Sequence, residues 1–195
     1  MERRMAAPHR QLLIAEAVVR VLAAGGFEAA TVRTVAAEAG VSAGAVQAQF
    51  PTKDALLLAG CGLVVDRYLA RTDPAPAPSD PREAVRDLLL ESLPLDEVRR
   101  EEARVWSALT DRATRSQPVA EVVRHVDVLA QQDLTARLTA AGVANPVVGA
   151  TVLLAVCDGL ATRLAYEPGF GTEAHRAVDA ALELVWAGSR AVAVT

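Results

Sequence analysis

Residues 31–56, TVRTVAAEAGVSAGAVQAQFPTKDAL, constrain this chain more than any other stretch. They read as two helices of about two turns each, joined by AGVS. Thr31 is placed to cap the first helix and Ser42 the second, which ends near Phe50-Pro51. Ala36 is small where the two helices cross, and Gly40 suits the positive φ of a tight turn. Val41 and Val46 fill the angle between the helices, while Phe50 closes the base against a preceding helix. The Ala–x3–Gly–x5–Val spacing is what a helix-turn-helix requires to hold its second helix proud of the surface.

The rest of the chain continues in helices. Ile14, Ala17, Val18 and Val21 form one apolar face of a helix over 10–24, with Glu16 and Arg20 opposite. Gly25-Gly26 ends it, and Phe27 is expected to fold back onto that face. Thr52 caps a longer helix through Arg71. Its successor is TDPAPAPSDP, residues 72–81, an extended linker. Asp80, Pro81 and Glu83 then form a strong helix start. Further helices are expected near 82–92, 95–114, 118–141, 146–166 and 173–190. No alternation of β-branched and aromatic residues marks a strand, and Ala and Leu are abundant. The expected fold is all-α, with about nine helices. A three-helix domain over residues 1–55 is followed by a larger helical domain over 56–195.

The net charge of −4 gives no hint of a nucleic-acid partner, but its distribution does. Residues 1–56 carry six Arg/Lys against five Asp/Glu, a balance of +1; the remainder carries fourteen against nineteen, a balance of −5. The first segment tolerates phosphates and the second repels them. Cys61 and Cys157 suggest neither a disulfide framework nor a zinc site, which fits a reducing cytoplasm. Glu16 and Arg20 interrupt the apolar stretch behind the basic start, arguing against a signal peptide. The longest charge-free apolar runs have 11 residues, short of the roughly 18 a membrane helix needs, so no membrane partner is expected.

The second helix of the motif, SAGAVQAQF, presents small and polar residues in place of charges. A helix entering a major groove must be slim and carry hydrogen-bonding side chains near its tip. The whole stretch resembles the TetR family of regulators. Their pattern runs Thr-hydrophobic-Arg, Ile-Ala, Ala-Gly-Val-Ser, Gly, then Tyr-Phe-Pro-Ser-Lys-Glu-Ala-Leu. Thr31, Val32, Arg33, Val35, Ala36, Ala39, Gly40, Val41, Ser42, Gly44, Phe50, Pro51, Thr52, Lys53, Asp54, Ala55 and Leu56 fall in register. The resemblance covers about the first 60 residues, with a weaker echo in DGLATRLAYEP from Asp158.

The resemblance implies a ligand-responsive regulator that acts as a repressor. It would bind palindromic double-stranded operator DNA as a homodimer and be released by a small-molecule effector, with no cofactor or metal. It places DNA contacts on Thr31, Arg33, Thr34, Ser42, Ala43, Gly44, Ala45, Gln47, Ala48, Gln49 and Lys53. Where the family commonly has aromatic residues gripping phosphate, this chain has Gln47, Ala48 and Gln49. Phosphate contact is therefore expected from Thr31, Arg33, Ser42, the sole lysine Lys53 and helix-start amides. Gln47 and Gln49 have the chemistry to read adenine, and Ala43 and Ala45 to meet thymine methyls.

The last two helices carry the longest apolar material. Val148, Val152, Ala155 and Gly159 lie along one, and Val178, Leu182, Val185 and Ser189 along the other. Two such helices from each subunit would form a four-helix interface, as the resemblance also implies. The alternative buries both within a monomer. For the effector, the implied pocket lies among helices 56–71 and 82–141, with Tyr68, Trp106, His125 and Asp158 as candidate contacts. Trp106 reads equally as core packing, and His125 as a surface partner of Glu121. The apolar setting suits a hydrophobic or amphipathic ligand better than a sugar.

An enzyme is disfavoured. His9, His125 and His175 are far apart, and HExxH, GxSxG, CxxC and Gly-rich phosphate loops are missing. Glu97, Glu101 and Glu102 lack a Glu-x-x-His partner, and DEVRREEAR reads as a solvated charged face. A helical interaction module that uses its helix-turn-helix only on proteins, or a regulator that senses no ligand, is the remaining rival.

Overall fold

The computed structural model describes residues 7–72 and 80–192, and the side chains of 188–192 are outside the description. Residues 1–6 and most of the expected linker (73–79) lie outside it as well. Among the described residues the chain forms helices α1 (Ala7–Ala29), α2 (Val32–Ala39), α3 (Ala43–Gln49), α4 (Lys53–Thr72), α5 (Pro81–Glu91), α6 (Glu97–Ala113), α7 (Gln117–Ala140), α8 (Pro146–Tyr166) and α9 (Gly171–Val192). A 3₁₀ turn at Pro168–Phe170 joins the last two. The all-helical expectation holds.

Capping decides the boundaries. Thr31 Oγ1 accepts from the Thr34 amide at 3.1 Å, Ser42 Oγ from Ala45 at 3.2 Å, and Thr52 Oγ1 from Ala55 at 3.0 Å. Each satisfies one of the amides a helix start leaves without an internal partner. Asp80 caps α5 through the Arg82 amide at 2.8 Å, with Pro81 beginning the helix. The start of α6 falls two residues later than the sequence suggests, because Asp96 accepts from the Arg99 amide and sets the first turn. In α1 the break expected at Gly25-Gly26 occurs at Gly26, after which the chain re-enters one more helical turn.

Packing divides the chain into two compact units. The first comprises residues 1–69 and 101–123. Ile14, Val18 and Leu22 of α1 meet Val35, Val46, Leu56, Leu57 and Cys61, with Val105, Leu109 and Val119 completing the core. The second comprises residues 70–100 and 124–195. Val85 and Leu89 of α5 pack with Leu134, Leu138, Leu153, Cys157, Leu164, Val178 and Leu182. Gly149 lets α8 approach α9 closely, since a Cβ there would stand 2.9 Å from Val185 Cγ1.

One feature departs from the sequence reading. The charged stretch opening α6 is not wholly solvated. Glu102 is buried, while the Arg99 guanidinium reaches the Leu90 carbonyl and the Glu91 carboxylate, both at 3.2 Å. Interleaved charges look alike in sequence whether they face water or a neighbouring helix. Helix α8 is 21 residues long and its most apolar stretch of 18 residues has a mean hydropathy of 1.6, enough to cross a membrane by length and composition alone, a test that a packed core helix passes too.

Candidate nucleic-acid interface

The α2–α3 pair is set by a few local choices. Gly40 adopts φ 64°, a left-handed conformation that costs a side-chain-bearing residue about 1 kcal/mol or more. The Val41 amide then donates to the Ala36 carbonyl at 3.0 Å, closing α2. Ala36 and Val46 are buried at the crossing, and half-buried Val41 and Phe50 pack against the same core. This anchoring leaves Ser42, Ala43, Gly44, Gln47 and Ala48 exposed on α3. Thr31, Arg33 and Thr34 are exposed at the start of α2, where the two threonine hydroxyls share a hydrogen bond of 2.8 Å.

Three of the expected contact residues sit differently. Ala45 is half-buried, on the flank of the exposed face. Gln49 is half-buried too, and its Oε1 is enclosed without a hydrogen-bond partner, so it does not lie on the open face with Gln47. Lys53 is half-buried: Nζ stands 3.9 Å from the centroid of the Phe27 ring and 3.5 Å from Glu28 Oε2. A sequence gives no sign of this arrangement, since Phe27 and Glu28 precede Lys53 by some 25 positions.

Behind Lys53 lies a polar clasp that the sequence reading missed. The Arg112 guanidinium of α6 grips Asp54 with Nε to Oδ1 at 2.8 Å and Nη2 to Oδ2 at 3.3 Å. Ser116 Oγ donates to the same carboxylate at 2.7 Å, and Arg112 also lies 5.1 Å from the Phe27 ring. The Arg112 and Ser116 hydrogen bonds hold the Asp54 carboxyl below the ordinary aspartate range. A depressed native value stabilises the fold above about pH 4, and that contribution is lost as pH falls through the native value. Asp54→Asn should therefore lower the Tm by roughly 2–5 °C at neutral pH. Thermal melts should show the gap from the parent protein closing in acid; a gap independent of pH would contradict the clasp.

Comparison with known proteins places this geometry. The model for bacterial regulatory proteins of the tetR family matches residues 14–59, and that for the C-terminal part of BetI-type transcriptional repressors matches residues 81–187. The HTH-type transcriptional regulator PksA of Bacillus subtilis is 33% identical over 164 residues, which cover 82% of this chain and 80% of that protein. The chain belongs to the TetR family. A transcriptional regulator from Rhodococcus sp. Rha1 shares 35% identity with it at a TM-score of 0.86, over 94% of this chain and 98% of that one. A putative regulator from Saccharomonospora viridis, solved in complex with choline, shares the fold at 23% identity and a TM-score of 0.78, over 90% and 96% of the two chains. The protein is thus a DNA-binding transcription regulator and not an enzyme.

Within this TetR-family frame, the expected dimer residues divide. On α8, Val148 and Val152 are exposed at 63% and 44%, and Ala155 and Gly159 are exposed beside them. On α9 the expected face turns inward: Val178 and Leu182 are 1% and 2% exposed within the second core, and Val185 is half-buried against it. Those two residues are core, not surface. Ser189 lies outside the described side chains. The free apolar face of α9 is instead Ala180, Leu184 and Ala187, with Leu184 exposed at 74%. Both faces of α9 are apolar at helical spacing, so periodicity alone does not say which one turns inward.

The candidate effector contacts are divided between the two units. Tyr68 and Trp106 belong to the first unit, where half-buried Trp106 packs against the core as the plainer reading had it. His125 and Asp158 belong to the second and are exposed. The expected His125 partner, Glu121, accepts instead from Gln117 at 3.0 Å. Although Asp127 and Asp158 reach solvent, the protein around them strips enough water to push both carboxyls above the ordinary aspartate range. Asp158 is raised further by the charge of Asp127.

Proposed function

We propose that this TetR-family protein is a cytoplasmic repressor that binds a palindromic operator as a homodimer and is released by a small, largely hydrophobic effector. The observation that carries the DNA reading is the exposed face of α3. Ser42, Ala43, Gly44, Gln47 and Ala48 present a slim, uncharged surface on a helix fixed from behind by Val46 and Phe50. Thr31, Arg33, Thr34 and Lys53 flank it as phosphate contacts, while Gln47, Ala43 and Ala45 are the base readers. Division of labour between residues 1–55 and 56–195 accompanies this reading, the first for DNA and the second for effector and partner. The match to a BetI-type repressor C-terminal part favours repression.

Dimerisation is supported by the exposed strip of Val148, Val152, Ala155 and Gly159 on α8, together with Ala180, Leu184 and Ala187 on α9. Facing copies of these helices would bury apolar surface that otherwise meets water. This also accounts for the hydropathy of α8 without a membrane, since its other side already lies in the second core.

One observation refines the effector. The Asp127 charge acts on Asp158, and Asp127 is followed along α7 by exposed Val128 and Leu129, chemistry suited to a cation with an apolar body. The choline complex of the S. viridis regulator points the same way. The test is to select bound fragments from the flanking genomic DNA and then screen for compounds that release them. Quaternary ammonium compounds with apolar tails should release the fragment, more effectively as pH rises and the two carboxyls ionise. Asp158→Asn should blunt that response. Release by neutral analogues alone would remove the cationic refinement, and a failure to retain any fragment would remove the operator reading.

A further inference from the structure

Lys53 is the only lysine of the chain and opens α4 beside the recognition helix, yet it is already engaged. Its Nζ lies 3.9 Å from the Phe27 centroid and 3.5 Å from Glu28 Oε2. Phe27 follows the break at Gly26, so it is the short extra turn of α1 that carries ring and carboxylate to Lys53. The Glu28 side chain is 91% exposed, which leaves it held by the lysine on one side and open to solvent on the other. The same ring has Arg112 at 5.1 Å, so the Glu28 carboxylate, paired with Lys53, feels a second cation that is itself clasped by Asp54.

We infer that Glu28 is an internal counterion of Lys53, a built-in stand-in for DNA phosphate that sets how strongly and how salt-dependently the regulator holds DNA. The inference rests on the reading of this face as the DNA interface. When a free lysine neutralises a phosphate, a condensed cation leaves the DNA, and each such contact adds about 0.9 to the slope of log affinity against log salt. Lys53 must first leave Glu28. The exposed carboxylate then takes up a cation from solution, cancelling the one released. Binding through Lys53 consequently gains little from low salt, and Glu28 adds repulsion toward the incoming backbone. Random DNA, held almost wholly by phosphate contacts, is penalised most.

The experiment compares four full-length proteins: parent, Glu28→Gln, Lys53→Met and the double variant. Lys53→Met keeps an apolar side chain over Phe27 while removing the charge. Binding to a fluorescein-labelled duplex of arbitrary sequence is followed by anisotropy across a potassium chloride series. Glu28→Gln should bind about 2–5-fold tighter at low salt and steepen the salt slope by about 0.9. Lys53→Met should weaken binding while leaving the parent's slope nearly unchanged, and Glu28→Gln should add no steepening in the Lys53→Met background. If Glu28→Gln acts equally with and without Lys53, or leaves the slope unmoved while Lys53→Met weakens binding, the internal counterion is overturned and the DNA reading stands. If none of the four proteins holds the duplex at any salt, both fall together.

Discussion

Val152→Glu combined with Leu184→Glu should yield a folded monomer that has lost operator binding. Both side chains are exposed on the free apolar faces of α8 and α9, so two carboxylates there cost little in an isolated chain. In a dimer the same carboxylates would be buried unpaired around the two-fold axis, which association cannot tolerate. Without a partner each subunit offers one recognition helix, and affinity for a two-half-site operator should fall by about 10²–10⁴-fold. Sedimentation should show the monomer, and circular dichroism should show unchanged helix content. Leu182→Glu provides the contrast. Only two positions away on α9, Leu182 is enclosed with Val85, Leu89 and Leu153, and a buried charge there should abolish cooperative folding. A Val152/Leu184 double variant that remains dimeric would place the interface elsewhere.

The second large effect concerns reading the sequence of the DNA. Gln47 is exposed on α3, four residues beyond Ala43 and three beyond Gly44, on the face that the buried Val46 turns outward. Its amide can donate and accept at once, which is what a bidentate contact to adenine requires. Gln47→Ala should cost roughly 1–3 kcal/mol on the cognate site and relax preference at one base pair, with little change on random DNA. Gln49→Ala should leave specificity intact, because the Gln49 carbonyl oxygen is enclosed by protein. Equal weakening of cognate and random DNA by Gln47→Ala would mean that Gln47 grips phosphate, in the place where TetR-like regulators carry aromatic residues.

The helix-turn-helix was legible because each of its demands is local. A cap at Thr31, a left-handed turn at Gly40, a second cap at Ser42 and a plug at Val46 lie within 16 residues, and no distant partner is needed to recognise them. The capped starts of α2, α3, α4 and α5 were legible for the same reason. What escaped the sequence are relations between residues far apart in the chain. Asp54 finds Arg112 and Ser116 across about 60 positions, and Lys53 meets Phe27 and Glu28 after two intervening helices. Nothing in periodicity announces such pairs. The α9 face failed differently. Ala180, Leu184 and Ala187 are apolar, as are Val178, Leu182 and Val185, and only the packing of α8 and α5 decides which set is core. Asp127 went unnoticed because its significance depends on Asp158, which lies one helix later.

In the proposed complex a two-fold dimer presents two copies of α3 to DNA. Footprinting on a genomic fragment retained by the protein tests it most directly. Two protected half-sites of inverted sequence are expected, with centres about one helical turn or a multiple of it apart, and protection should disappear with Val152→Glu combined with Leu184→Glu. Protection of a single asymmetric half-site, or an unchanged two-fold footprint from that double variant, would contradict it.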